Sequence, residues 1–125
     1  MSILAVGLGG LLGSCGRYLI TRLLERFEFA FPLSTLLSNV IAALLIGFII
    51  GFERQMPSLS ATKKLFLTTG MLGGLSTFST FSLETVAYLE TGKYLHALGN
   101  IGLNVGLSLL FVFIGFYLAK LLPAA

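Results

Sequence analysis

The sequence predicts an all-α membrane protein of four transmembrane helices, the third broken at its centre. Three observations carry this. The chain of 125 residues is 56% hydrophobic and only 10% charged, whereas a soluble domain carries about 25% charged residues. Its apolar residues fall into four stretches, about 3–24, 33–52, 64–89 and 96–122, and each supplies the ~20 residues that a spanning helix requires. The third stretch has three glycines in five residues, Gly70, Gly73 and Gly74, then a run of hydroxyls interrupted by Phe78 and Phe81. A lipid-facing helix has no need of that pattern. Glycines release the backbone, and freed carbonyls at membrane depth are tolerated only against protein, water or an ion. The third stretch therefore reads as a broken helix that lines an ion path.

One domain, residues 1–125, is the ceiling at this length. The single cysteine, Cys15, excludes an internal disulfide or a cysteine-based metal site, and its expected role is small apolar packing. A net charge of +3 is too small and too scattered for nucleic acid. The chain begins without a basic leader and its apolar stretch exceeds a signal core, so 3–24 is expected to stay as the first membrane helix. Polar connectors separate the spans: Glu25 to Glu28, Glu53 to Ser58, and Glu90 to Lys93.

The first span is rich in small residues, Gly7, Gly9, Gly10, Gly13, Ser14 and Gly16, which let helices approach closely in lipid. Arg17 follows, and it has two readings. A charge within a span is expensive and marks function; an arginine near the boundary can also snorkel to the interface with Arg22 and Arg26. In the second span Thr35 and Asn39 are four apart and share a face. An asparagine amide there serves either an interhelical hydrogen bond or a polar path. In the third, Phe78 and Phe81 share a face, with Ser79, Thr80 and Ser82 beside them. In the fourth, Asn100, Asn104 and Ser108 recur at steps of four as one polar stripe, suited equally to helix pairing or to the path. His96 is expected at the interface.

Four spans put both termini on one side. That side holds Arg54, Lys63, Lys64 and Lys120; the other holds Arg22, Arg26 and Lys93. The Lys/Arg imbalance sets orientation, and four against three is almost none. Such a chain can insert both ways, and two opposed copies would form an antiparallel dual-topology homodimer, reproducing with two chains the inverted repeat that transporters build within one. Four helices are also too thin to enclose a pore and its polar lining, which again points to a dimer.

Three stretches, Gly13-Ser14-Cys15-Gly16-Arg17-Tyr18, Ser34-Thr35-Leu36-Leu37-Ser38-Asn39 and Gly70 to Ser82, resemble those of the Fluc fluoride channels, also called CrcB proteins. The run Gly73-Gly74-Leu75-Ser76-Thr77-Phe78-Ser79-Thr80-Phe81-Ser82 is the most specific. The resemblance implies a plasma-membrane (inner-membrane) dimer with two antiparallel pores that export fluoride passively. It also implies one central structural sodium ion, held by backbone carbonyls of Gly73 and Ser76. By motif, Phe78 and Phe81 are the pore phenylalanines and Asn39 the pore amide. Ser79, Thr80 and Ser108 belong to the polar track, with Thr35 placed beside Asn39, and Arg17 looks like the vestibule arginine. The family often has Gly where Ser34 stands and Thr where Ser76 stands; neither change removes a backbone carbonyl.

The chemistry suits these residues apart from the name. Fluoride is small, strongly hydrated and a strong acceptor, so its path must replace water with donors such as hydroxyls and amides. Aromatic rings present a positive edge to an anion, a weak contact that permits leaving as well as entering. A proton-coupled drug exporter needs a membrane carboxylate; Glu84 is the one candidate, toward the end of the third span. A non-transporting assembly subunit explains the glycines but not the clustered Phe, Ser and Thr. No nucleophile–base pair supports an enzyme.

Overall fold

The computed structural model describes residues 2–27 and 31–122; Glu28 of the first connector lies outside them. The described residues form helices and no strand, in the order α1 (Ser2–Leu24), α2 (Leu33–Gln55), α3 (Ala61–Leu65), a π-helical stretch (Phe66–Leu72), α4 (Gly73–Leu75), α5 (Phe78–Glu90) and α6 (Tyr94–Lys120). α1, α2 and α6 are long and apolar enough to cross a membrane. At 23, 23 and 27 residues they are about 35–40 Å long, against a hydrocarbon core of ~30 Å. The third apolar segment is divided among α3, the π-helical stretch, α4 and α5.

The helix ends differ from the expected ones for local reasons. α2 continues through Glu53, Arg54 and Gln55, which the sequence places in a connector. The buried Glu53 carboxylate accepts hydrogen bonds from Ser58 N–H (2.9 Å) and Leu59 N–H (3.2 Å), so it caps the turn that follows. The Arg54 guanidinium sits 4.9 Å from the centre of the Phe116 ring. With both charges partnered, nothing ends the helix early. The third segment starts at Ala61 because Ser60 Oγ accepts from Lys63 N–H at 3.2 Å, a side-chain N-cap. α5 is closed by Gly92, whose φ of 76° lies in the left-handed region that glycine enters freely. That tight closure lets α6 begin at Tyr94, two residues before its expected start at His96.

Two tight helix contacts organise the chain. α1 packs on the π-helical stretch and α4, and α2 packs on α6. Both rest on glycine. A methyl group at Gly9 would collide with the Phe66 carbonyl, and one at Gly13 with the Met71 carbonyl; at Gly70 and Gly74 it would lie 2.8 Å from the carbonyl oxygens of Val6 and Gly10. On the other side, a methyl at Gly47 would strike the Val112 carbonyl and one at Gly115 the Leu44 carbonyl. Backbone against backbone is how helices gain van der Waals contact where lipid removes the hydrophobic drive. Gly70 and Gly74, singled out for backbone release, thus also form the far wall of the α1 contact.

The buried set is polar for its size: Thr35, Ser38, Thr77, Thr85, Asn100 and Asn104 are buried, while Ile3, Leu95 and Phe113 stand exposed. In lipid that arrangement is the stable one, since polar groups must be satisfied within the protein. Gly13→Ala is expected to push α1 off the π-helical stretch, an overpacking cost of about 1–3 kcal/mol. Gly7→Ala, which meets nothing within 4 Å, is expected to be neutral. Thermal unfolding of the two purified variants in one detergent checks the contrast.

Candidate functional site

Ser76 and Thr77 have extended backbones, with φ and ψ of −79° and 156° and of −149° and 120°. They separate α4 from α5. In a continuous helix the Thr77 N–H would close onto the Gly73 carbonyl, and the Thr80 N–H onto the Ser76 carbonyl. Here both are diverted. Thr77 N–H donates to Asn39 Oδ1 at 2.7 Å. Thr80 N–H donates to Thr77 Oγ1 at 3.2 Å, so Thr77 is the N-cap of α5. Two other carbonyls of the stretch are claimed by side chains: Thr77 O accepts from Asn39 Nδ2 (3.3 Å) and Gly74 O from Arg17 Nε (3.2 Å). Gly73 and Ser76 therefore lose the amides that would close onto their carbonyls.

Asn39 joins this break to α6. Its Nδ2 also donates to Asn104 Oδ1 at 2.9 Å. Asn104 Nδ2 donates to both the carbonyl and Oδ1 of Asn100, each at 2.9 Å. Asn100 Nδ2 donates to Thr85 Oγ1 (3.0 Å), and the Thr85 hydroxyl donates to the Phe81 carbonyl (2.8 Å). Asn100 is 0% and Asn104 4% exposed. Beside this line the Thr35 hydroxyl donates to Glu84 Oε2 at 2.6 Å, while Glu84 Oε1 and Ser38 Oγ are buried without a partner.

An open groove of about 430 Å³ runs along the break. Gly73, Ser76, Asn39, Phe78, Phe81 and Ser108 line it, all expected at the site, together with Thr77 and Asn104. Phe81 is buried at 8% exposure; Phe78 stands out at 77%. Their ring centres are 5.5 Å apart with planes at 62°, edge to face. The other expected residues lie off the groove. Thr35 is turned to Glu84. Ser79 Oγ is 3.4 Å from Thr77 Oγ1. Thr80 serves the cap through its amide. Arg17 reaches the Gly74 carbonyl rather than open interface. Both hydrogens of the Asn39 amide are taken, so an anion reaching it would have to displace one of these bonds. Thr77 and Asn100 join the site without being among its sequence-predicted residues. A Thr directly before α5 is a cap signal, and the four-residue steps of Asn100, Asn104 and Ser108 were visible. Among the described residues, no group of three His, Cys, Asp or Glu side chains comes together.

Comparison with known proteins places the chain in a family. The family model described as "CrcB-like protein, Camphor Resistance (CrcB)" matches residues 4–116. The chain is 52% identical over 120 residues to a protein of Clostridium perfringens, covering 95% of this chain and 94% of the other. It is 48% identical over 122 residues to one of Psychrobacter cryohalolentis (97% and 98% covered) and 46% identical over 119 to one of Rhizobium meliloti (94% and 95%). Each of these relatives is named "Fluoride-specific ion channel FluC". The chain belongs to the CrcB family, a family of ion channels and not of enzymes.

Thr77→Val keeps the β-branched shape but removes the cap acceptor. It is expected to destabilise the protein by about 0.5–2 kcal/mol, whereas Thr77→Ser, which keeps the hydroxyl, should change it by a few tenths. Thermal unfolding of both variants, followed by loss of the intact elution peak, checks this.

Proposed function

We propose that this protein is a fluoride channel of the plasma (inner) membrane, built from two copies in opposite orientations and passing fluoride passively out of the cell. The observation that carries this reading is the groove itself: a mostly apolar surface along a helix break, carrying the polar side chains of Asn39, Ser76, Thr77 and Ser108, with the exposed Phe78 ring beside it. A ring so exposed on one copy is suited to complete the matching groove of a second. The names of the relatives supply the ion. In such a pair the third segment, α3 to α5, crosses the membrane as one interrupted span.

The residues then take distinct parts. The Ser108 hydroxyl on the groove wall replaces fluoride's water as a donor, and the hydroxyls of Ser79 and Thr80, off the groove in one copy, join it where the second copy completes the path. Phe78 and Phe81 meet the ion with ring edges, whose partial positive charge attracts without trapping. Asn39 sits at the floor of the groove, and Thr35 holds Glu84. Arg17 adds a positive charge on the α1 side. The displaced carbonyls of Gly73 and Ser76 form a donor set of the kind that unwound helices offer to sodium. A sodium ion bound there would supply a fixed charge at the centre of the dimer and tie the two copies together.

Fluoride efflux from liposomes holding the purified protein, with chloride as control, tests the reading. Rapid fluoride loss without a proton gradient, and no matching chloride loss, is expected. Equal chloride flux, or dependence on a proton gradient, contradicts it. Phe78→Ile or Phe81→Ile roughly keeps apolar volume and removes the ring edge. Each is expected to cut fluoride flux per assembled dimer by about tenfold or more, the effect of losing ~1.4 kcal/mol at the barrier. Unchanged flux per dimer would return both rings to packing alone.

A further inference from the structure

The asparagine line has a direction, and the backbone of one residue fixes it. The Thr77 N–H can only donate and the Thr77 carbonyl can only accept. Asn39 must therefore present Oδ1 to the first and Nδ2 to the second, as it does at 2.7 and 3.3 Å. Its remaining hydrogen points at α6, so Asn104 must answer with Oδ1. That turns the Asn104 Nδ2 to Asn100, which passes its own hydrogen to Thr85. The line ends where the Thr85 hydroxyl donates to the Phe81 carbonyl. Every link is set by the one before it, and no step tolerates a flipped amide.

We infer that Asn104 and Asn100 are positioning residues for the ion-binding break: they hold the Asn39 amide in the one orientation that draws Thr77 N–H away from the Gly73 carbonyl and leaves that carbonyl for a cation. This rests on the reading of Gly73 and Ser76 as sodium donors. The physical reason is the missing brace. With Asn104 gone, one Asn39 hydrogen would lose its protein acceptor and turn to whatever enters the groove, and the loss of one side-chain hydrogen bond would loosen the amide. Held then by Thr77 alone, through bonds of 2.7 and 3.3 Å, Asn39 would draw Thr77 N–H from Gly73 less firmly, and the break would shift toward a continuous helix.

The test titrates sodium against N-methylglucamine at constant ionic strength. It follows the thermal stability of the purified full-length protein, and it records the Thr77 amide by ¹⁵N NMR in sodium-free buffer. Asn104→Leu removes the link to Asn39. It is expected to raise the sodium concentration for half-maximal stabilisation by about tenfold, the effect of one buried hydrogen bond. Asn100→Ala leaves Asn104 the Asn100 carbonyl as acceptor and is expected to raise it by only about threefold. Both variants should shift the Thr77 amide resonance. An unchanged half-point in both variants overturns the inference; a loss of flux with that unchanged half-point would make Asn39 a direct fluoride ligand instead. If the unmodified protein shows no response to sodium, the sodium reading fails. The Thr77 resonance then decides the relay alone: unmoved, it overturns the inference; moved, it supports it. Should Asn104→Leu not fold, Asn100→Ala carries the same two outcomes.

Discussion

The hydrogen bond from Thr77 N–H to Asn39 Oδ1 is the contact on which the rest depends. A helix segment in lipid opens only if each group it frees finds another partner. The groups freed around Ser76 and Thr77, apart from the Gly73 and Ser76 carbonyls that lose their amides, are settled from three directions. Asn39 on α2 takes both polar groups of the Thr77 backbone. Thr77 turns its own hydroxyl to the first turn of α5. Arg17 on α1 takes the Gly74 carbonyl. An asparagine side chain is an amide like the backbone itself, so it substitutes for a lost peptide partner with matched geometry.

Close helix packing makes these contacts possible. Asn39 meets Asn104 because α2 and α6 approach to backbone distance at Gly47 and Gly115. Arg17 meets Gly74 because Gly9 and Gly13 let α1 lie against the π-helical stretch and α4. Small residues thus set the distance, and the polar residues work at that distance. The result is a fold whose interior combines a hydrogen-bonded line with small and apolar side chains such as Ala42, Leu72 and Phe81, while many large apolar side chains face outward.

Much of this was legible in the sequence, in proportion to how local the signal was. α1, α2 and α6 followed from apolar length, and the extended pair Ser76–Thr77 falls within the stretch the glycines and hydroxyls singled out. The polar stripe of α6 followed from four-residue steps. What a stripe touches is a tertiary matter, so neither the meeting of Asn39 with Asn104 nor that of Thr35 with Glu84 could be read. Arg17 had two sequence readings because its partner is 57 residues away and is a backbone carbonyl, which no residue type announces. The extension of α2 through Gln55 depended on Glu53 finding amides across the turn. The π-helical register of Phe66–Leu72 had no sequence signature at all.

The central claim is that the groove bearing Phe78 is completed by an inverted second copy, and its most direct test is topological. On a Cys15-free background, a cysteine at Ser58, exposed in the α2–α3 turn, is treated with an impermeant thiol reagent outside intact cells. Without a Lys/Arg bias to orient insertion, roughly half of the chains should be labelled and the remainder only after the membrane is opened. Labelling of nearly all chains, or of none until lysis, would mean a single orientation and would contradict the account.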